Sequence, residues 1–243
     1  MSRSYTLKPW ERERFGFLFE RTRMAARPAL EKAKTAATTE EALDALDSIV
    51  AGSNAAMERE VTAAFTGNDE GRRVQAQVAC RQGCSFCCYV NVEVSIIEAL
   101  RIARHVGRDP ALTRAARDGA KKSAGLDAWQ RVAKRLPCTF LKGHDCGIYE
   151  VRPRSCRAYL SLDAKRCETA LEMVGTKVEV SIPVLDLPRV VGTAFADGIR
   201  AACKDAGLQG DSVELTKTVA QILDAPDLPD RWRRGESVFT AFA

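Results

Sequence analysis

Eight of the nine cysteines stand in two blocks, Cys80, Cys84, Cys87 and Cys88, then Cys138, Cys146, Cys156 and Cys167, and Cys203 stands apart. Thiolates are soft ligands that select zinc and iron–sulfur clusters over hard cations. The first block also fits an i, i+4, i+7, i+8 helical stripe, and free cysteine is a well-buried small hydrophobe. The intervening Arg81, Gln82 and Gly83 are poor choices for a core helix, which favours the ligand reading. Geometry then limits the backbone. In a straight helix Cys80 and Cys87 would lie about 10 Å apart along the axis at about 1.5 Å per residue. Two sulfurs on one zinc can be no more than about 4.6 Å apart, given Zn–S of about 2.3 Å. A loop is therefore expected at 80–88, with Gly83 as its pivot. Cys156 and Cys167 would be about 16 Å apart on one unbroken helix. Either the helix breaks near Ser161–Asp163, where either residue could cap a new one, or the two thiols serve different sites.

Other residues invite chemistry less specifically. Cys156, near a helix start and beside Arg154 and Arg157, is expected to ionise readily. Arg152 and Arg157 could offset the charge of a multi-thiolate centre, or pair with Glu150 and other surface carboxylates. Ile148 and Tyr149 read as packing residues, and Cys167 shares a packing stripe with Leu171 and Val174. Cys203, four residues after Ile199, reads as an inert core thiol. His144 in its polar turn could replace a thiol but reads as solvated. His105 suits a helix C-terminus, where a cation favours the dipole. Cys80-x3-Cys84-Ser-Phe86-Cys87 also has the radical S-adenosylmethionine spacing, but the alternating strands and helices of its usual barrel are missing from the pattern. No Ser–His–Asp arrangement can be assembled.

The two blocks together resemble a known family. Cys80-x3-Cys84-x2-Cys87-Cys88, then Cys138-x-Phe-Leu, then Cys146-Gly-Ile-Tyr-Glu-x-Arg-Pro-x-x-Cys156-Arg-x-Tyr, then Cys167, is similar to the cysteine-cluster family of zinc- or iron-chelating proteins (the YkgJ type). Ile148, Tyr149, Glu150, Arg152, Pro153, Cys156 and Arg157 carry the specific part. Flagellin lysine N-methylases have a similar cluster. The first spacing is x3 here and x2 in some members. The resemblance implies metal or iron–sulfur binding through Cys80, Cys84, Cys87, Cys88, Cys138, Cys146, Cys156 and Cys167.

The elements that must position these thiols read mostly as helices. Phe15, Leu18, Phe19 and Ala26, then Leu43, Leu46, Val50, Met57, Val61 and Ala64, recur at helical spacing and predict an antiparallel hairpin joined through Thr35–Thr39. Gly67–Gly71 breaks the pattern. Ser95 and Glu98 form a capping-box signature, followed by Ile96, Leu100, Ala103 and Val106. Residues 110–135 predict one or two short helices ending before Pro137. Residues 138–149 predict a small β-hairpin around Lys142–Asp145, and Pro153 suits a helix start. Val178–Ile182 is expected to be a short strand. Further helices are marked by Val191, Phe195, Ile199 and Ala202, and by Val213–Leu223. The expected class is mostly α, a helical domain with a cysteine-rich metal-binding region and a small β-hairpin. Residues 1–70 are expected to form an N-terminal helical hairpin, 71–175 the metal-binding region, and 176–243 a C-terminal helical segment on the same domain.

Composition removes whole classes of function. The 243 residues are 46% hydrophobic and 28% charged, as in a soluble globular protein. No apolar run approaches the roughly 18 residues of a membrane span. The opening Met-Ser-Arg-Ser-Tyr-Thr-Leu-Lys-Pro-Trp lacks an apolar signal region, so a reducing, cytoplasmic setting is expected, where stable disulfides are rare. The net charge of +5 comes from 37 basic and 32 acidic residues. Arg12, Arg14, Arg21, Arg23 and Arg27 alternate with Glu11, Glu13 and Glu20, and Arg231, Arg233 and Arg234 are flanked by Asp230 and Glu236. Such mixing describes a solvated face, and no nucleic-acid motif accompanies it. Three readings stay open: a metal-binding protein, with zinc first and a 4Fe–4S cluster as alternative; an iron–sulfur, S-adenosylmethionine-dependent enzyme modifying a protein side chain; and a zinc-stapled module presenting its helices to a protein partner.

Overall fold

The computed structural model describes residues 9–242; the N-terminal residues 1–8 and Ala243 lie outside it. Two long helices, α1 (Pro9–Thr35) and α2 (Thr39–Thr66), form the predicted hairpin. The Thr38 hydroxyl accepts the Glu41 N–H at 3.2 Å and starts α2 cleanly. An Arg21–Glu60 ion pair at 2.8 Å ties the two helices near their far ends. The glycine-bounded break falls as expected, and Asn68 caps a short α3 (Asp69–Ala76) by accepting the Gly71 N–H at 2.7 Å.

After the first cysteine block, β1 (Glu93–Ser95) runs straight into α4 (Ile96–Val106), which opens with the predicted capping box. Helices α5 (Pro110–Lys122) and α6 (Ala128–Ala133) fill 110–135. The hairpin of β2 (Leu141–Lys142) and β3 (Asp145–Cys146) pairs Leu141 with Cys146 across the Gly143-His144 turn. Helices α7 (Arg154–Ala158), α8 (Ala164–Glu172) and α9 (Asp186–Asp205) follow, then β4 (Ser212–Glu214), α10 (Leu215–Asp224) and α11 (Leu228–Arg233).

The fold is mostly α, with two two-stranded antiparallel sheets among the described residues. The second sheet pairs β1 with β4, Val94 against Val213, and had no local signal because its strands are three residues long and distant in sequence. The strand expected at Val178–Ile182 does not form. Val178 is exposed, the Ser181 carbonyl accepts from the Arg166 side chain at 3.0 Å, and the chain pairs with another backbone at the Ser161–Val184 bridge.

The main core gathers Leu46, Ile97, Leu100, Ile199, Val219 and Trp232, from α2, α4, α9, α10 and α11. A smaller cluster around Leu18, Met57, Val191 and Phe195 seals α9 onto the hairpin. Three of the arginines in the basic stretches of the sequence are ion-paired: Arg23 with Asp205 at 2.6 Å, Arg231 with Glu236 at 2.7 Å, and Arg233 with Asp230 at 2.6 Å. No helix among the described residues is long and apolar enough to cross a membrane.

Candidate metal centre

Residues 77–85 leave the helix, as the spacing argument requires. Arg81–Cys84 is a turn closed by the Cys84 N–H on the Arg81 carbonyl at 3.0 Å. Gly83 takes φ of 82° there, a left-handed conformation that a side chain disfavours. A 3₁₀ turn, Phe86–Tyr89, then carries Cys87 and Cys88.

Two contacts bring the distant block to the first. The Cys138 N–H donates to the Cys88 carbonyl at 2.6 Å, and the Ser161 N–H donates to the Cys80 sulfur at 3.2 Å. Cys167 reaches the same serine, its thiol donating to Ser161 Oγ at 3.2 Å. The helix does break between Cys156 and Cys167: α7 ends at Ala158, and Asp163 caps α8 by accepting the Arg166 N–H at 2.9 Å. Cys138, Cys146 and Cys156 pack against the main core. Cys203 is buried on α9, and burial alone pushes its thiol up to about 12, as a packing residue should behave.

The thiols respond to burial and to one another. Burial pushes Cys138 up to about 11 and Cys156 up to about 12. The expectation that Cys156 ionises readily is therefore overturned: desolvation outweighs Arg152, and α7 is only five residues long. Cys87 goes the other way, lowered to about 6 by a hydrogen bond from the Cys88 thiol against the cost of burial, with help from Arg152. Cys88, the donor, is correspondingly raised. Burial also raises Cys80 and Cys167, at Cys80 in part offset by the Ser161 N–H donated to its sulfur.

Arg152 and Arg157 divide the roles the sequence offered them. Arg152 lies within electrostatic reach of Cys87 and Cys156, and its guanidinium donates to the Cys156 carbonyl and sits 5.7 Å from the Tyr149 ring. Arg157 instead pairs with Glu58 at 2.8 Å and donates to the carbonyls of Arg152, Tyr149 and Glu150. Ile148 is buried as expected, whereas Tyr149 is exposed rather than packed. His144 shares a hydrogen bond with Ser85 Oγ at 3.1 Å, and both line a hollow of about 260 Å³ beside Cys84.

Sequence reasoning missed the residues that hold the blocks in place. Arg131, almost fully buried, donates to the Val90 carbonyl at 2.9 Å and the Pro137 carbonyl at 3.3 Å, joining the end of one block to the start of the other. Glu98 accepts the Ser95 N–H at 3.1 Å and the Arg154 N–H at 2.9 Å, so the capping box of α4 also anchors the start of α7. Arg154 continues to Ser53 Oγ on α2 at 2.7 Å. Only the Ser95–Glu98 spacing could have flagged any of these.

Residues 79–173 match the family model CxxCxxCC, described as a putative zinc- or iron-chelating domain. This part of the chain is similar to a cysteine-cluster domain of that family. No curated protein and no solved structure matches the chain.

The residues fit a thiolate-held metal in donor type and in convergence: both blocks meet at Ser161 and at the Cys88–Cys138 backbone contact. Among the described residues, no three Cys, His, Asp or Glu side chains stand grouped as ligands of one ion.

Proposed function

We propose that the chain is a metal-binding protein in which Cys80, Cys84, Cys87, Cys88, Cys138, Cys146, Cys156 and Cys167 hold zinc, with a 4Fe–4S cluster as the alternative occupant. The observation that carries this reading is the meeting of two cysteine blocks, far apart in sequence, through Ser161 and through Cys88 and Cys138. Arg152 supplies positive charge beside the thiolates. The metal supplies folding free energy, because only the folded chain assembles the ligands. It would thereby fix the loop 77–85 and the β2–β3 hairpin to α7 and α8. A cytoplasmic location follows from thiols that must stay reduced.

Anaerobic purification followed by metal analysis and an absorbance spectrum tests the reading. Colourless protein containing zinc is the expected result. Broad visible absorption with iron and sulfide would replace zinc by the cluster. Protein without either metal, and unable to take them up, would refute the proposal.

A further inference from the structure

We infer that the eight cysteines build two neighbouring four-sulfur centres, each drawing on both sequence blocks: Cys80, Cys84, Cys87 and Cys167 in one, and Cys88, Cys138, Cys146 and Cys156 in the other. The inference rests on the metal-binding reading above. It departs from the order of the sequence, which would group 80–88 against 138–167.

Ser161 defines the first centre. Its N–H holds the Cys80 sulfur and its hydroxyl receives the Cys167 thiol, each at 3.2 Å, so one residue seats sulfurs from opposite ends of the motif. The 3₁₀ turn bearing Cys87 packs on α8, which bears Cys167. None of these four sulfurs belongs to the main core cluster.

The second centre is built on that core. Cys138, Cys146 and Cys156 all pack against it, and the Cys138 N–H takes the Cys88 carbonyl at 2.6 Å. The Leu141 N–H closes on the Cys138 carbonyl at 3.0 Å, and Leu141 is the ladder partner of Cys146. The hairpin thus delivers Cys146 beside Cys138.

Cys84 lines a hollow together with Ala79, the neighbour of Cys80, and Ala164, on the helix that bears Cys167. The backbone contact with Cys138 places Cys88 beside the second group. A tetrahedral thiolate site takes four ligands; the second group already has four with Cys88, and the first has three without Cys87. The adjacent pair Cys87-Cys88 therefore splits between centres.

The test is a Zn²⁺ titration of reduced, chelator-treated full-length protein under anaerobic conditions, with bound zinc counted after desalting. Two equivalents are expected for the parent chain and one each for Cys167→Ser and Cys138→Ser. Cys80→Ser/Cys167→Ser should keep one equivalent, and Cys138→Ser/Cys167→Ser none. A parent that binds one equivalent refutes the division while leaving the metal-binding reading intact; a parent that binds neither zinc nor iron refutes both. Loss of both equivalents in Cys80→Ser/Cys167→Ser also overturns the division. If the serine variants do not fold, alkylation of the one-zinc parent with fragmentation of the intact chain decides. Protection of Cys88 should accompany Cys138, Cys146 and Cys156 and never Cys80. Protection of Cys80, Cys84, Cys87 and Cys88 as one group overturns the inference.

Discussion

Glu98→Gln should destabilise the protein by about 4 kcal/mol, although residue 98 is none of the proposed ligands. Both Glu98 and Arg154 are buried, and their charged groups are 3.9 Å apart. At that distance the attraction is about 4 kcal/mol for an effective dielectric near 20. Glutamine keeps the shape but removes the charge, leaving the Arg154 guanidinium buried with only the Ser53 hydroxyl as acceptor. Breaking one side of a buried pair typically costs about 3–5 kcal/mol. Removing both charges is milder, so Glu98→Gln/Arg154→Met should lose much less than the sum of its single variants. Equilibrium urea unfolding of the four proteins, each checked for an unchanged m-value, measures the cycle. A Glu98→Gln loss below about 1 kcal/mol, or strict additivity, would refute the reasoning. The pH dependence has a definite sign. Burial alone would raise Glu98, but the Arg154 guanidinium and the hydrogen bonds from Arg154 and Ser95 hold it below its ordinary 4.5. Its contribution is complete above that ordinary value and is lost as pH falls through the depressed folded value. The acid limb of the stability curve should therefore be shallower in Glu98→Gln than in the parent.

Three further outcomes follow from the packing around the cysteines. Arg131→Met should cost about 2–4 kcal/mol, since two hydrogen bonds from a buried charge, one of them long, are each worth about 1.5–3 kcal/mol; zinc affinity should fall with stability, and an affinity unchanged in calorimetry would dismiss its role in joining the blocks. Gly119→Ala should destabilise despite about 1 kcal/mol of helix propensity gained, because the new Cβ would stand 2.6 Å from Thr139 Cβ and push on the turn next to Cys138; a raised thermal midpoint would contradict this. Cys156→Ser should lose metal and lower the thermal midpoint together, whereas Cys203→Ser should keep full metal content and cost about 1 kcal/mol for a buried hydroxyl, as metal-to-protein ratios would show.

What was legible in the sequence is what is encoded over short distances. The α1–α2 hairpin, the Ser95–Glu98 cap, the loop at Gly83 and the break before Asp163 all follow from spacing and capping within a few residues. The β1–β4 pair was not legible, because three-residue strands have no period and their partnership is settled by the packing of α4 and α10. The Val178–Ile182 strand failed for the converse reason: its apolar alternation is a local signal, and a strand also needs a distant partner. For the site, the cysteines declared themselves, but their protonation did not. Arg154 and Arg157 looked like activators of Cys156, yet Arg154 is committed to Glu98 and Ser53, and Arg157 to Glu58 and backbone carbonyls. Neighbours in sequence spend their charge elsewhere in space.

The same distinction explains why the metal region can be loop-rich without being loose. Bringing Cys138 to Cys88 closes a loop of about fifty residues, and by chain statistics that costs about 3–4 kcal/mol of entropy beyond a fixed term. The cysteines do not carry that cost alone. Within the loop, α4 and α5 bury Ile97, Leu100, Leu112 and Ala116 in the main core, and Arg131 joins the carbonyls of Val90 and Pro137 at its two ends. The second stretch is held similarly: α7 is fixed through Arg154 to Glu98 and Ser53, and the residues after it by the Ser161–Val184 bridge. The polypeptide therefore delivers each sulfur to its neighbourhood before any metal arrives. On the metal-binding reading, an ion would have to draw together only thiols already gathered around Ser161 and Cys138, and to displace their protons. A centre built this way would differ from a zinc finger, in which the metal also has to create the fold.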